Sequence, residues 1–326
     1  MKYIDMHCDT LGWAYVKRRK DITNFPETML DVRRMKQGNC MAQFFAIYML
    51  PRGAEKILGL EAPIEDEEYI ETSLEIFHAT MRKSQDVIAP AYSAKDVEEN
   101  DRCGKMSGLL TFEDGRPIDG KLENLEKYYK KGIRLISLTW NQENCFGYPN
   151  SKDPVVMQKG LSEFGKEAVQ YMNDLGMIVD VSHLSDGGFW DVVKQAKKPF
   201  VASHSNSREI CPHPRNLSAE MVRALADKGG VIGINFGPEF IHPDGERGKS
   251  DLDIMSRQIH MLMNQGGEDC VALGSDFDGI EGSVEISSAD KMPLLFERLH
   301  KDGLSDDVIE KIAWKNTMRV MRETLR

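Results

Sequence analysis

The chain has 326 residues, 52 Asp and Glu against 42 Lys and Arg, and a formal net charge of -10. No long basic block interrupts that acidic balance, which argues against nucleic acid or an anionic membrane surface as the main partner. No apolar run approaches the roughly 20 residues that crossing a bilayer needs, and the six cysteines lack CxxC spacing, so they read as reduced thiols. The opening Met1-Lys2-Tyr3-Ile4-Asp5 does not read as a signal peptide, and the expected compartment is the cytoplasm.

Residues 3–10 read as a first strand whose period of two puts His7 and Asp9 on one face and Cys8 on the other. Residues 40–48 form a second, followed by a helix over 68–82 in which Ile70, Leu74, Phe77 and Met81 keep helical spacing. Residues 106–112 form a third strand that runs into Glu113-Asp114-Gly115, and 133–140 a fourth, ending at Trp140. The fifth and sixth, Met177-Ile178-Val179-Asp180-Val181-Ser182-His183 and Phe200-Val201-Ala202-Ser203-His204-Ser205, each end at a histidine and flank a helical pattern over 186–196. Residues 230–236 and 270–276 complete the set, and Ser305 is a candidate N-cap for a terminal helix through Ile309, Ile312, Ala313 and Met318.

Eight strands alternating with helices predict one α/β domain over residues 1–326, a (β/α)8 TIM barrel of the metal-dependent amidohydrolase type with a C-terminal helix. A doubly wound open sheet competes less well, because no GxGxxG follows the first strand and no P-loop is present. The longest irregular stretches, 51–63, 143–159 and 236–249, follow strands 2, 4 and 7, at the barrel end where active-site loops belong.

The polar strand tips are His7 and Asp9, Glu113, His183, His204 and Asp276. Two divalent ions sharing a carboxylate need about three donors each, and this set offers three imidazoles and three carboxylates. The expected arrangement places His7, Asp9 and Glu113 on one ion and Glu113, His183 and His204 on the other. Ions roughly 3.5 to 4 Å apart hold a hydroxide at neutral pH and polarise a carbonyl, which suits amide hydrolysis. Asp276, nearer the strand than Asp278, is the expected general base and acid. Zinc is the default metal, with manganese or cobalt compatible with the same donors.

Taken singly, His183 or His204 reads as a packing histidine, and only their company with Glu113 and the His7/Asp9 pair favours metal. His78, His260 and His300 fall in helical patterns and read as packing or solvated groups, while His213 and His242 sit on loops. Cys8 reads as a packed thiol. Asp180 and Ser182 turn away from His183 and read as hydrogen-bonding supports behind it.

The motifs Asp5-Met6-His7-Cys8-Asp9-Thr10, Phe112-Glu113-Asp114-Gly115, Val179-Asp180-Val181-Ser182-His183, Ser203-His204-Ser205, Pro214-Arg215-Asn216 and Gly274-Ser275-Asp276-Phe277-Asp278-Gly279 together resemble the membrane (renal) dipeptidase family. The likeness runs on to Trp314-Lys315-Asn316-Thr317-Met318-Arg319-Val320. It implies a TIM-barrel metallopeptidase that binds two zinc ions bridged by Glu113 and cleaves dipeptides, often with a D-residue at the C-terminal position. It also implies that Arg215 binds the free carboxylate of the dipeptide, for which a guanidinium fork is suited.

Two departures stand out. Mammalian-type relatives carry a histidine after the Leu-Thr of strand 4, whereas Leu138-Thr139 is followed here by Trp140, a substrate-facing position with one donor and no charge. The secretion signal and lipid-anchor tail of the mammalian proteins are missing from this sequence, in line with the expected absence of a membrane partner. A homodimer is the candidate assembly. The competing readings are another amidohydrolase, acting on N-acyl amino acids or lactams, and a non-catalytic metal-binding barrel. Amidohydrolases that bridge metals through a carboxylated lysine want it on strand 4, and residues 133–140 contain no lysine.

Overall fold

The computed structural model describes residues 1–60 and 63–326, with Glu246 as backbone only. Eight strands form the ring: β1 (Tyr3–Asp5), β2 (Cys40–Tyr48), β3 (Met106–Glu113), β4 (Ile133–Ser137), β5 (Ile178–Asp180), β6 (Val201–Ala202), β7 (Val231–Ile234) and β8 (Val271–Leu273). Each pairs in parallel with its neighbours, and β1 pairs with both β2 and β8, so the sheet closes on itself. This is the expected TIM barrel.

The pleat sorts the apolar residues. Ile4, Phe44, Leu109, Leu135, Ile178, Val201, Val231 and Ala272, one from each strand, share one buried cluster with Met318 and Met321. Alternate residues such as Tyr3, Phe45, Leu110, Ile136, Val179 and Ile232 join the helices in the larger cluster around it. The helix Asn316–Thr324 supplies those two methionines, and Asn316 donates from Nδ2 to the carbonyls of Glu268 and Val271 where β8 begins. That helix therefore covers the barrel end opposite the polar strand tips.

Most strands end earlier than alternation suggests. β1 stops at Asp5, β4 at Ser137 and β5 at Asp180, leaving His7, Asp9, Trp140 and His183 on the turns that follow. His183, Asp276 and Asp278 take left-handed backbone angles, with φ of 69°, 61° and 71°. Non-glycine residues adopt that region sparingly, and here it bends the chain sharply at the strand tips. A ninth strand, Ile88–Pro90, was not apparent in the sequence pattern; it pairs with residues 106–108 of β3 on the edge that β4 occupies further along.

The expected helix over 68–82 spans Asp66–Lys83. Ser305 caps Asp306–Glu310, which continues through a π-helical stretch, Lys311–Lys315, into the terminal helix. Of the expected loop 51–63, residues 61 and 62 lie outside the described residues. Among the described residues no helix is long and apolar enough to cross a membrane.

Candidate metal centre

The strand-tip residues from β1, β3, β5, β6 and β8 meet at one mouth. Glu113, the last residue of β3, is 3 % exposed and stands between two groups. Its Oε2 lies 3.3 Å from His7 Nε2, and its Oε1 lies 2.9 Å from His183 Nε2 and 3.5 Å from His204 Nε2. On the Oε2 side, His7 Nε2 is also 3.5 Å from Asp9 Oδ1 and 3.7 Å from Asp276 Oδ1. One carboxylate thus faces both halves of the cluster, as a bridging ligand must.

The protonation of the imidazoles follows from what stands behind them. Ser203 has a single hydroxyl proton, which it gives to Asp180 Oδ2 at 2.6 Å, so it accepts from His204 Nδ1 at 2.7 Å. His183 Nδ1 donates to Asn141 Oδ1 at 3.2 Å. Both rings therefore carry their proton on Nδ1 and aim an Nε2 lone pair into the site, and these two nitrogens stand 3.1 Å apart. Two bare lone pairs repel at that distance. Two nitrogens each about 2.05 Å from a tetrahedral zinc stand about 3.3 Å apart, so the spacing suits a shared cation.

The charge balance points the same way. Burial, with Arg215 beside His183 and His7 beside His204, holds both imidazoles well below the usual histidine range and keeps them neutral. Burial and the neighbouring Asp9 charge push Glu113 up to about 8, and burial pushes Asp276 up to about 7 against the pull of His7. Burial also disfavours a charged His7, yet Glu113 and Asp9 outweigh it and raise His7 well above its ordinary value. The carboxylates ask for positive charge at this point. His7 Nε2, Asp9 Oδ1 and Glu113 Oε2 are all buried without a hydrogen-bond partner, the condition a metal ion relieves. Ligand atoms of His7, Glu113 and His204, and of His7, Asp9 and Asp276, lie within 4.8 Å of one another. The second group brings Asp276 in beside His7 and Asp9, at the mouth where the strand tips converge.

Around the cluster, Asp276 Oδ2 accepts from Asn235 Nδ2 at 2.7 Å. Gly279 lets the chain pass between the Asp9 and Asp276 carboxylates, where any Cβ would overlap both. Asp278 points elsewhere: it accepts from Thr10 Oγ1 and from the backbone N–H of Met29, which ties the loops together. Asp180 takes the supporting place expected of it, accepting from Ser137, Ser182 and Ser203. Cys8 packs away from the cluster, its thiol against the Phe44 carbonyl. Asn141 lies on a loop and Asn235 just past the end of β7, inside the longer strand that the sequence suggested, and periodicity assigned neither a role.

Arg215, 6 % exposed, donates to Ser205 Oγ at 3.3 Å and to the His204 carbonyl at 3.2 Å, and its Nε has no partner. Its guanidinium sits 5.3 Å from the centre of the Phe240 ring. Trp140 stands edge-on to Tyr48 at 5.0 Å and 6.3 Å from the His183 ring. Both aromatic groups line a cavity of about 350 Å³ whose floor includes Asp9, Glu113, His183 and Asp276. A larger cleft of about 530 Å³, bounded by Glu71, His78, Tyr92 and Arg134, lies away from the strand tips and has no part in this chemistry. His213, pushed down to about 4 by burial and Arg215, supports the Arg215 backbone N–H from beside Phe240. His242 bonds to Asp244 on its own loop.

The family model described as Membrane dipeptidase (Peptidase family M19) matches residues 1–326. The chain belongs to that family. It is 38% identical over 237 residues to an uncharacterized Klebsiella pneumoniae protein, covering 71% of this chain and 86% of that one. A dipeptidase of Aspergillus oryzae is 30% identical over 296 residues, 90% of this chain and 69% of that one. Among solved structures, a metallopeptidase from Rhodobacter sphaeroides, liganded with a phosphinate mimic of the dipeptide L-Ala-D-Ala, superposes with a TM-score of 0.88 at 26% identity over 99% of both chains. The M19 dipeptidase AC gives 0.89 at 26%, over 100% of this chain and 99% of that one. This M19 protein is a metal-dependent dipeptidase, and the buried His/Glu/Asp cluster is its candidate metal site.

Proposed function

We propose that the M19 enzyme holds two zinc ions, His7, Asp9 and Glu113 on one and Glu113, His183 and His204 on the other. The observation that carries this reading is the placement of the two Glu113 oxygens, one toward His7 and one toward the facing lone pairs of His183 and His204. Manganese or cobalt suits the same mixed nitrogen and oxygen donors. When bound, such ions supply an activated water at neutral pH and polarise the scissile carbonyl.

The chain's own residues do the rest. Asp276, held at one oxygen by Asn235 and free at the other toward His7, takes the proton of the attacking water and delivers it to the leaving nitrogen. Arg215 pairs with the C-terminal carboxylate of the dipeptide, its buried charge otherwise met only by neutral acceptors in its hydrogen bonds. Trp140 closes the side of the mouth toward Tyr48, where mammalian-type relatives carry a histidine, and excludes water from the bound peptide. The mimic bound by the R. sphaeroides relative makes L-Ala-D-Ala the first substrate to try. Six unpaired cysteines support a reducing compartment, and we assign the enzyme to the cytoplasm.

Metal analysis of the purified protein, with hydrolysis of L-Ala-D-Ala before and after chelation, tests the reading. Two equivalents of metal, loss of turnover on chelation, and loss of both metal and turnover in Glu113→Gln are expected. Asp276→Asn retains metal and folds but does not turn over. A single equivalent would remove the bridging role of Glu113, and full activity after complete chelation would remove the metal mechanism.

A further inference from the structure

The cavity above the metal cluster is chemically lopsided. Trp13, Val16, Tyr48, Leu50, Leu58 and Trp140 contribute to its lining, and Phe240 and Ile280 add to it. Five acids also line it, Asp9, Glu113, Asp276, Asp278 and Glu281, while His183 is the only lining residue among those described that can carry positive charge. The first three acids form the floor, and Asp278 is occupied by Thr10 and Met29. With Asp9 and Glu113 assigned to metal, Asp276 to proton transfer and Asp278 occupied, Glu281 is the one acid left on the walls, and among the described lining residues no cation there answers a negative side chain.

The barrel order gives these walls a direction. Arg215 belongs to the segment after β6, beside Phe240. In a closed ring of eight the strand opposite β6 is β2. Tyr48 ends β2, Leu50 and Leu58 follow it, and Trp13 and Val16 lie on the helix Thr10–Val16 after β1. Most of the apolar lining on the β1 and β2 side thus stands across the mouth from the arginine, with the metal cluster between, while Phe240 lies beside the arginine itself. A dipeptide anchored by its carboxylate at Arg215 lays its scissile bond over the cluster and its N-terminal residue against that wall.

We infer that the site selects dipeptides whose N-terminal residue has a large apolar side chain. The inference rests on the proposed Arg215 anchor and deepens the dipeptidase reading to a substrate class. A volume of about 350 Å³ lies at the lower end of the range for small-molecule sites, which is about 300–1,000 Å³, and suits a two-residue ligand. A leucine or phenylalanine side chain covers the wall and displaces water from it, whereas glycine leaves it wet. Leu58 is half-buried on a loop, so replacing it probes the wall without opening the core.

The test is kcat/KM of the metal-loaded enzyme on two dipeptide series, Xaa-Ala and Ala-Xaa, with Xaa as Gly, Leu, Phe, Asp or Lys and the C-terminal residue in both L and D forms. Leu-Ala and Phe-Ala are expected to exceed Gly-Ala on the order of 10- to 100-fold, as a few buried methylenes allow. Leu58→Ala narrows that ratio, and Leu58→Lys improves Asp-Ala relative to Leu-Ala. Equal rates in both series, or a preference for Asp-Ala or Lys-Ala, overturn the inference and leave the dipeptidase reading intact. Discrimination confined to the Ala-Xaa series puts the wall on the C-terminal side and overturns the Arg215 anchor together with the inference.

Discussion

Ser203 can give away only one proton, and Asp180 takes it, so His204 is held in the tautomer whose Nε2 is open to a metal. Ser203→Ala removes the acceptor behind Nδ1 without adding bulk. We expect metal affinity to fall by roughly 10- to 100-fold, read by chelator competition, with the folded state preserved by circular dichroism. An unchanged affinity would show that the ring needs no support from behind. Gly279 works by size alone, because a methyl group there must displace the Asp9 or Asp276 carboxylate. Gly279→Ala should fold but lose most dipeptide hydrolysis, and full activity in that variant would mean the two acids stand further apart in solution. The residues of the candidate metal site were legible in the sequence because histidines and acids at strand ends are few and their meeting point follows from the topology. Asn141 and Asn235 were not, since an amide, on a loop or at a strand end, looks the same whether it orients a catalytic group or faces water.

At the scale of elements, the loop after β3 is clamped to the start of the helix Asp66–Lys83 by Arg116, whose Nη2 lies 2.6 Å from Asp66 Oδ1. Burial raises the Asp66 carboxyl, but the Arg116 hydrogen bonds and charge outweigh it and leave the pKa below the ordinary aspartate value. A carboxyl depressed on folding stabilises fully above its unfolded pKa of about 3.9, and that contribution fades as pH falls through the lower folded value. Wild type should therefore lose more stability than Arg116→Met between pH 6 and strong acid, as followed by urea unfolding. Parallel losses in the two proteins would discount the pair. The helix Asp186–Gln195 begins just past His183, and Ser185 caps it by accepting from the Gly188 N–H at 3.1 Å while donating to the Lys159 carbonyl at 2.7 Å. Ser185→Ala should cost about 1 kcal/mol in the same assay. Strand identity was readable from runs of β-branched and apolar residues, but strand ends were not. Left-handed angles at His183 and Asp276 stop the alternation early, and no residue type announces such an angle in a histidine or aspartate.

For the molecule as a whole, the proposed ligands come from four separate strand ends, so a bound cation would stabilise only the completed ring. Zinc at about a hundredfold over its dissociation constant should add about 2.7 kcal/mol and raise the Tm by roughly 5 °C over the chelated protein. Identical melting curves with and without zinc would contradict a site formed only on folding. The closed barrel was legible because eight strand patterns alternate with helical ones along the chain. Ile88–Pro90 was not, for a three-residue strand that itself ends in proline carries no periodic signal. One seam has a further consequence. Asp5 Oδ2 accepts from Ser275 Oγ at 2.6 Å and Asp5 Oδ1 from the Ser275 N–H at 2.8 Å, clasping β1 to the turn after β8. His7 lies two residues past one half of the clasp and Asp276 one residue past the other. During synthesis the first strand therefore waits for the turn after β8, and a product that stops before Ser275 cannot close this seam or carry Asp276. The cell is thereby spared a half-made peptidase.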